Sequence, residues 1–190
     1  MHIHSQDDLK NLLDSKGLDI AQWGFNNAKT VADLWEEIVK QETRIQEKPL
    51  LRIVEVVQVI VRKGDNVLIE TQQEFTDGRT RGRKDPPAEK LRAGENHVDA
   101  ALRCLKEELG IERKDIDVIG SVYRKRQEVM ESPSYPGLKT LYIFHEVEAR
   151  VNQLPDEDFF TYESFCKKND PIRKHYWSWK NKPKELNRRP

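Results

Sequence analysis

One stretch of the chain, residues 52–62, constrains the fold more than any other. It is almost wholly apolar and rich in β-branched side chains, and Glu55 and Gln58 interrupt it. A continuous apolar run of this composition is typical of a strand that is buried on both faces. Such a strand requires a sheet with other elements packed above and below it.

The segments that follow predict a mixed sheet covered by helices. Residues 64–66, Gly-Asp-Asn, predict a turn, and residues 67–73 predict a return strand. Residues 97–109 carry apolar side chains at helical spacing and are followed by Gly110, which predicts a helix. The other predicted segments are a loop at 75–84, a short strand around Lys90, strands at 118–126 and 138–147, and an irregular excursion at 132–137.

The N-terminal residues predict two amphipathic helices ahead of the sheet. Ser5 with Asp8, and Thr30 with Asp33, have the spacing of helix-capping boxes. We interpret this part as a helical extension that covers the main domain, and a partner-binding arm is the alternative. The expected segments are a helical N-terminal extension at 1–48, a main domain at 49–166 and a basic, aromatic C-terminal segment at 167–190.

Charge is balanced over the whole chain but not along it. The 190 residues include 33 Lys and Arg and 33 Asp and Glu. A net charge of zero argues against whole-body attraction to nucleic acid. Residues 79–92 nevertheless hold six bases and two acids, and residues 167–190 hold nine bases and two acids. We interpret the second segment as a solvated or mobile tail.

The sequence contains few signals for a cellular compartment or for a membrane. The chain has no run of about 18 apolar residues, which a membrane helix needs. Residues 1–10 lack the basic start and apolar stretch of a secretory signal. Two cysteines cannot form a disulfide framework and favour a reducing compartment. We therefore expect a cytoplasmic protein without membrane contact.

Two adjacent glutamates lie on one flank of the predicted helix. On a helical wheel Cys104, Glu107 and Glu108 fall within about 80° of one another, and Glu95 stands at the helix entrance. Clustered carboxylates suit Mg²⁺, which can neutralise a polyphosphate and activate water. Arg103, four residues before Glu107, is placed to orient that carboxylate. Taken alone, adjacent glutamates on a helix indicate a solvated face.

The spacing around these glutamates resembles the Nudix box, Gly-x5-Glu-x7-Arg-Glu-apolar-x-Glu-Glu-x-Gly-apolar. The residues that match are Glu95, Arg103, Leu105, Glu107, Glu108, Gly110 and Ile111. The resemblance covers about residues 50–165. It implies an α+β fold, the Nudix-type α/β/α sandwich with a mixed sheet, preceded here by the helical extension.

Two positions depart from the Nudix pattern. Glu89 stands where the family has its first glycine, and glycine allows backbone conformations that glutamate tolerates poorly. Cys104 stands where the family has a glutamate that binds metal or activates water. A thiol is a poor ligand for Mg²⁺.

The resemblance implies Mg²⁺- or Mn²⁺-dependent hydrolysis of a diphosphate linkage in a nucleoside diphosphate derivative. It makes Glu95, Glu107 and Glu108 the metal-binding residues and Arg103 the residue that holds the acids in place. The base that activates water would lie outside the box, and the candidates are Glu128, Glu131 and Glu163. The alternative is a non-catalytic protein that binds a nucleotide or an RNA end on a Nudix scaffold.

The basic residues before the box are candidates for binding substrate phosphates, since arginine pairs with phosphate in a bidentate manner. These candidates are Arg79, Arg81, Arg83 and Lys84, and a solvated loop is the competing interpretation. The expected partner is a small molecule linked through a nucleoside diphosphate. Because Nudix proteins are often dimers, the resemblance also allows a homodimer.

Overall fold

A computed structural model of the chain describes residues 3–26, 28–163 and 172–181. The helices are α1 (Gln6–Ser15), α2 (Val31–Val39) and α3 (His97–Leu109), with a short 3-10 helix at Arg113–Asp115. The strands are β1 (Arg44–Glu47), β2 (Leu50–Lys63), β3 (Asn66–Phe75), β4 (Thr80–Asp85), β5 (Ala88–Lys90), β6 (Ile116–Ser132), β7 (Tyr135–Val151), β8 (Phe159–Tyr162) and β9 (Ile172–Asn181). A mixed sheet with few helices confirms the predicted α+β class.

The nine strands follow the main order β6-β7-β2-β3-β9-β8, with β1 and β5 paired to β2 and β4 paired to β3. The pairing of β3 with β9 is antiparallel and runs from Asn66 opposite Asn181 to Phe75 opposite Ile172. The last described strand therefore lies between β3 and β8. None of the helices in the described ranges is long and apolar enough to cross a membrane.

The chain divides into two compact units. The first unit comprises residues 1–56, 90–95 and 125–144, and the second comprises residues 57–89, 96–124 and 145–190. Strands β2, β5, β6 and β7 each contribute residues to both units.

The core of the first unit is built by the two N-terminal helices and the start of β7. Ser5 caps α1 through the N–H of Asp8, and the full capping box of Thr30 and Asp33 begins α2, as predicted. Trp23 packs against the Tyr135 ring at 5.1 Å between ring centroids. The core side chains are Leu9, Leu13, Trp23, Leu34, Tyr135 and Leu138. The apolar helix faces are thus covered within the unit.

In the second unit α3 follows the predicted bounds. The side chain of Asn96 caps the helix by accepting the N–H groups of Val98 and Asp99. Gly110 ends the helix with φ +69°, a left-handed conformation that favours glycine. Leu105 is fully buried on the apolar face of α3.

Three expectations about the strands are wrong. Residues 80–84 of the predicted loop lie in β4, which pairs with β3. Residues 172–181 form β9 instead of a mobile tail. The excursion at 132–137 is a turn at 133–134 that connects β6 and β7. Strand β9 pairs with β3, which lies far earlier in the chain, whereas β4 and β7 each pair with the strand just before them. In all three cases main-chain pairing decides the structure, and side-chain patterns do not report such pairing.

Candidate active site

The two glutamates at the end of the box helix are buried. Glu107 is 6% exposed and Glu108 is 8% exposed, so the interpretation as a solvated helix face is wrong. Thr161 of β8 donates a hydrogen bond from its hydroxyl to the main-chain oxygen of Glu108 at 2.5 Å. The indole N–H of Trp177, on β9, donates to the same hydroxyl at 2.8 Å. Strands β8 and β9 therefore cover this end of the helix, and the sequence did not predict either strand.

Arg103 joins two carboxylates of the box. Its Nη1 lies 3.4 Å from Oε2 of Glu107, one helical turn later. The same nitrogen lies 3.9 Å from Oε2 of Glu89 on β5. The Arg103 side chain is only 12% exposed, so these contacts are shielded from bulk water. One guanidinium thus draws together a glutamate of α3 and a glutamate of β5.

Glu108 is the buried carboxyl group with unused hydrogen-bonding capacity. Its Oε2 makes no hydrogen bond within the described part of the chain. Burial raises the pKa of Glu108 well above its ordinary value, and the nearby charges of Glu70, Glu89 and Glu163 raise it further, while the charge of His175 opposes this shift. A carboxyl group in this environment gains from holding a proton or from the arrival of a cation.

A buried histidine holds two of these neighbouring acids. His175 Nδ1 lies 2.5 Å from Oε1 of Glu70, and its Nε2 lies 3.0 Å from Oε2 of Glu163. Burial alone would lower the pKa of His175, but the hydrogen bonds to Glu163 and Glu70 outweigh it and raise the pKa to about 10. At neutral pH the ring is therefore an imidazolium that donates to both carboxylates.

Glu70 has two further partners on its other oxygen. Arg83 of β4 lies 3.2 Å from Oε2 of Glu70 through its Nε. The Gln73 amide donates to the same oxygen at 2.9 Å. The Nη2 of Arg83 also lies 3.2 Å from the Asp85 carboxylate. The charge of Arg83, one of the residues predicted to bind substrate, is thus engaged within the fold.

The other predicted phosphate-binding residues lie on or beside β4. The guanidinium carbons of Arg79 and Arg81 lie 5.6 Å and 5.3 Å from the ring centroid of Phe75. Arg79 also donates to Asp77 at 2.8 Å, and Arg81 donates to Gln73 at 3.0 Å. Lys84 is exposed. Phe75 and Gln73 on β3, and Asp77 in the turn before β4, thus hold the side chains of Arg79 and Arg81.

Glu95 lies in the first unit. Its Oε2 accepts the main-chain N–H of Arg92 at 2.9 Å, and its own N–H donates to the Arg92 oxygen at 3.0 Å. These two bonds close the turn that leads to α3. Glu95 also lines a cavity of about 440 Å³, together with residues that include Ile38, Glu55 and Leu91.

Cys104 is fully buried and is a free thiol. Burial raises the pKa of the thiol well above its ordinary value, and the carboxylates of Glu108, Glu89 and Glu107 raise it further. The thiolate is therefore strongly disfavoured at neutral pH, and a neutral thiol is neither a ligand for a hard cation nor a base. The other cysteine, Cys166, lies outside the described residues.

The three candidates for the catalytic base have different surroundings. Glu163 lies in the second unit and its charge acts on Glu108. Glu128 and Glu131 lie in the first unit and are exposed; Glu128 pairs with Arg126, and Glu131 accepts the N–H of Gly137 at 2.8 Å. Of the three, Glu163 is the one that the second unit brings to the box glutamates.

The donor set of the second unit suits a divalent cation in its chemistry. Glu108 offers an unpartnered oxygen, and the carboxylates whose charges reach it are the hard donors that Mg²⁺ and Mn²⁺ prefer. Over residues 3–26, 28–163 and 172–181, no three His, Cys, Asp or Glu side chains form a group that could hold a metal ion. Arg103 and His175 instead engage Glu107, Glu89, Glu70 and Glu163.

Sequence reasoning missed two residues of this cluster, Glu70 and His175. The sequence could have indicated Glu70 in part. Glu70 lies two residues after Leu68 and therefore on the same face of β3, and an acid on the inward face of a strand is unusual. His175 carried no such signal, because its segment was interpreted as a tail. The pairing of β3 with β9, in which Glu70 lies opposite Trp177 and Gln73 opposite His175, brings Glu70 and His175 together.

The Nudix domain family model matches residues 49–184. This match spans more than half of the chain, and the chain therefore belongs to the Nudix family. No curated protein matches the chain.

Several solved structures are similar at low identity. A C. elegans Ap4A hydrolase is 17% identical, with 67% of this chain and 79% of that chain covered and a TM-score of 0.34. A MutT protein from Bacillus halodurans is 18% identical, with 70% and 71% covered and a TM-score of 0.37. A Nudix hydrolase from Nitrosomonas europaea is 19% identical, with 66% and 72% covered and a TM-score of 0.36.

Proposed function

We propose that this chain hydrolyses a diphosphate linkage in a nucleoside diphosphate derivative, with Mg²⁺ or Mn²⁺ as cofactor. The observation that carries the proposal is the buried Glu108, whose unpartnered oxygen stands among the charges of three other glutamates. Membership of the Nudix family supports it, because the box pattern supplies Glu107, Glu108 and Arg103 at the family's spacing.

In this proposal the box residues hold the cation. Glu107 and Glu108 are the proposed ligands from α3. Arg103 is a positioning residue, because it holds the Glu107 carboxylate at 3.4 Å. When bound, a divalent cation neutralises phosphate charge and lowers the pKa of a water molecule.

The remaining steps fall to residues outside the box. Glu163 is the proposed base, because it is the candidate whose charge reaches Glu108. Arg79, Arg81 and Lys84 are proposed to bind the phosphate oxygens. Arg83 is assigned to positioning, because its guanidinium is engaged by Glu70 and Asp85.

The test replaces both box glutamates by glutamine and measures hydrolysis of ADP-ribose, a dinucleoside polyphosphate, a nucleotide sugar and capped RNA with Mg²⁺ or Mn²⁺. We expect the wild type to hydrolyse at least one substrate, and Glu107→Gln/Glu108→Gln to lower kcat/KM by about 100-fold or more. Glutamine at 108 matches the neutral acid in size, so the fold should persist. Glu112→Gln is the matched control, since Glu112 is an exposed glutamate paired with Lys106.

The second candidate function is nucleotide or RNA-end binding without turnover. The buried, neutral thiol of Cys104 favours it, because the family has a working carboxylate at that position. A wild type that binds nucleotide but hydrolyses none of the four substrates, together with activity gained in Cys104→Glu, would establish this function in place of the hydrolase. Absence of both binding and hydrolysis would exclude both.

A further inference from the structure

Strand β6 forms one edge of the sheet. It stands at the end of the strand order, where β7 is its neighbour. Among the strands that the structure describes, none pairs with the other side of β6. An edge strand presents main-chain N–H and C=O groups on its open side, and these groups can pair with a further strand.

The part of this edge that lies in the first unit, residues 125–131, is exposed on both faces. Side chains of a strand point alternately to the two faces of the sheet, and all seven are exposed here. They include Val129, which is 54% exposed, and Met130, which is 37% exposed on the opposite face. Strand β7, in contrast, buries Leu138 and Ile143. The edge is thus open to an incoming strand from the side and on both faces.

The charge of residues 125–131 changes sign along the strand. Lys125 and Arg126 come first. Gln127 follows, and the acids Glu128 and Glu131 come after it. A second copy of the strand that runs antiparallel brings its acidic half opposite the basic half of the first copy. A parallel copy in register places like charges opposite each other, which is destabilising. The edge is therefore complementary to its own sequence in the antiparallel direction.

We propose that two copies of this chain associate through β6, antiparallel and with the twofold axis at Gln127. Such an interface is isologous, so each contact away from the axis occurs twice. Arg126 then lies opposite the partner's Glu128. Lys125 lies opposite the partner's Val129, and its aliphatic stem covers that exposed side chain. The inference is independent of the proposed function, because none of residues 125–131 is assigned a part in hydrolysis.

The contacts within one copy prepare the edge for this pairing. Arg126 and Glu128 form an ion pair within the strand, and their side chains are 45% and 48% exposed. The guanidinium carbon of Arg126 also lies 4.1 Å from the ring centroid of Phe144. Both charges are therefore ordered on one face of the strand before a partner arrives, which lowers the entropic cost of association. In the pair they join the partner's two charges in a network of four.

The first test is charge reversal, measured by sedimentation velocity of the full chain over a series of protein concentrations. We expect the wild type to dimerise at micromolar concentration, since a single strand pair makes a small interface. Arg126→Glu should weaken the dimer Kd by about 10-fold or more, because it creates two like-charge contacts. Arg126→Glu/Glu128→Arg exchanges the charges and should recover most of the affinity. Lys40→Glu, at the exposed pair with Glu36, is the control and should leave the Kd unchanged.

The second test is a cysteine at the proposed axis. Residues directly opposite each other in an antiparallel pair have Cα atoms about 4.5–5.5 Å apart, which a disulfide can span. In a Cys104→Ala/Cys166→Ser background, Gln127→Cys should therefore form a covalent dimer under mild oxidation. Gln22→Cys, at an exposed position outside β6, should stay monomeric under the same conditions. Unfolding midpoints identify any variant that does not fold.

The outcomes separate this interface from other arrangements. A wild type that stays monomeric at millimolar concentration would overturn the second copy as the occupant and leave the edge to a strand of another protein. A dimer that a folded Arg126→Glu leaves intact, and that Gln127→Cys does not cross-link, would show that the copies meet elsewhere and would also overturn the proposal. Neither result changes the hydrolase proposal, which the substrate panel tests.

Discussion

A charged histidine occupies the interior of the second unit. His175 is 1% exposed and lies between Glu70 and Glu163, with its ring stacked on Trp177 at 5.7 Å between centroids. Because both carboxylates accept from the imidazolium, their charges are compensated inside the fold. The oxygen of Glu108 receives no such hydrogen bond. The position of the His175 imidazolium thus separates Glu70 and Glu163, which are paired with it, from Glu108, which is available to a cation.

Replacing His175 by glutamine should strongly destabilise the protein at pH 7. The change leaves Glu70 and Glu163 buried without their common cation, which costs about 3–5 kcal/mol. The folded pKa of about 10 lies above the ordinary value of 6.5, so this stabilisation is complete below about pH 6.5 and is lost as the pH rises through 10. The difference between wild type and variant in urea unfolding should therefore shrink at alkaline pH.

The control for this prediction is the exposed His4. His4→Gln should change the unfolding free energy by less than about 0.5 kcal/mol, as is usual for surface substitutions. Equal stability of wild type and His175→Gln at pH 7 would contradict the assignment of a buried imidazolium.

At the scale of elements, one glutamate ties α2 to two strands of the first unit. Glu37 lies 2.6 Å from Arg52 on β2, 2.9 Å from Lys90 on β5 and 3.1 Å from Lys29. Burial raises the pKa of Glu37, but Lys90, Arg52 and Lys29 together outweigh it and lower the pKa to about 2. Burial also lowers the pKa of Lys90, and the Glu37 carboxylate opposes this shift. Helix α2 is thereby attached to Lys90, where the segment 90–95 of the first unit begins.

Glu37→Gln should weaken this attachment by about 3–5 kcal/mol at pH 7, because three cations lose their shared carboxylate. The folded pKa of about 2 lies below the ordinary 4.5, so the stabilisation is present above pH 4.5 and is lost as the pH falls towards 2. The two proteins should therefore converge in stability at acid pH. Unfolding followed by tryptophan fluorescence measures the difference, since Trp23 belongs to the core of this unit.

The neighbouring residue provides a matched control. Glu36, on the same helix, pairs with Lys40 at an exposed position, and such pairs contribute little. Glu36→Gln should therefore leave the unfolding free energy nearly unchanged. If Glu36→Gln lowered the unfolding free energy as much as Glu37→Gln does, the charge of the helix, and not the buried cluster, would be what stabilises α2.

The elements differ in how well their sequences predicted them. The caps of α1 and α2 and the bounds of α3 were predicted, because capping and helical periodicity depend on residues within four positions of one another. Strands β4, β8 and β9 were missed, because main-chain pairing forms them: β4 pairs with the preceding β3, β8 pairs with the following β9, and β9 also pairs with the distant β3. Strand β9 pairs with β8, which is close to it in sequence, but its longest pairing is with β3.

At the scale of the whole molecule, the neutral total charge conceals internal pairing. The basic C-terminal part does not act as a tail over residues 172–181, because β9 contributes His175 and Trp177 to the interior. Its place between β3 and β8 makes it part of the sheet. The predicted boundaries at residues 48 and 166 stay predictions.

Removal of residues 172–190 should therefore prevent folding of the second unit. The truncated chain loses the strand that pairs with β3 from Asn66 to Phe75, and with it the partner of Glu70. Circular dichroism and urea unfolding should show loss of the cooperative transition. A chain that ends at Asn181 keeps every described pairing of β9 and serves as the control; a cooperative transition in the shorter chain would restore the interpretation as a tail.

The sequence by itself determined the α+β class, the box helix with its caps, and the Nudix spacing that places Arg103, Glu107 and Glu108 on one helix. These features depend on neighbours along the chain. Only the tertiary structure decided that both glutamates are buried, and that Glu70 and His175 stand beside Glu108. It also decided that Glu89 of β5 lies 3.9 Å from the Arg103 guanidinium of the box helix. Strand pairing joins residues that are up to about a hundred positions apart, and side-chain periodicity carries no record of which strands will meet.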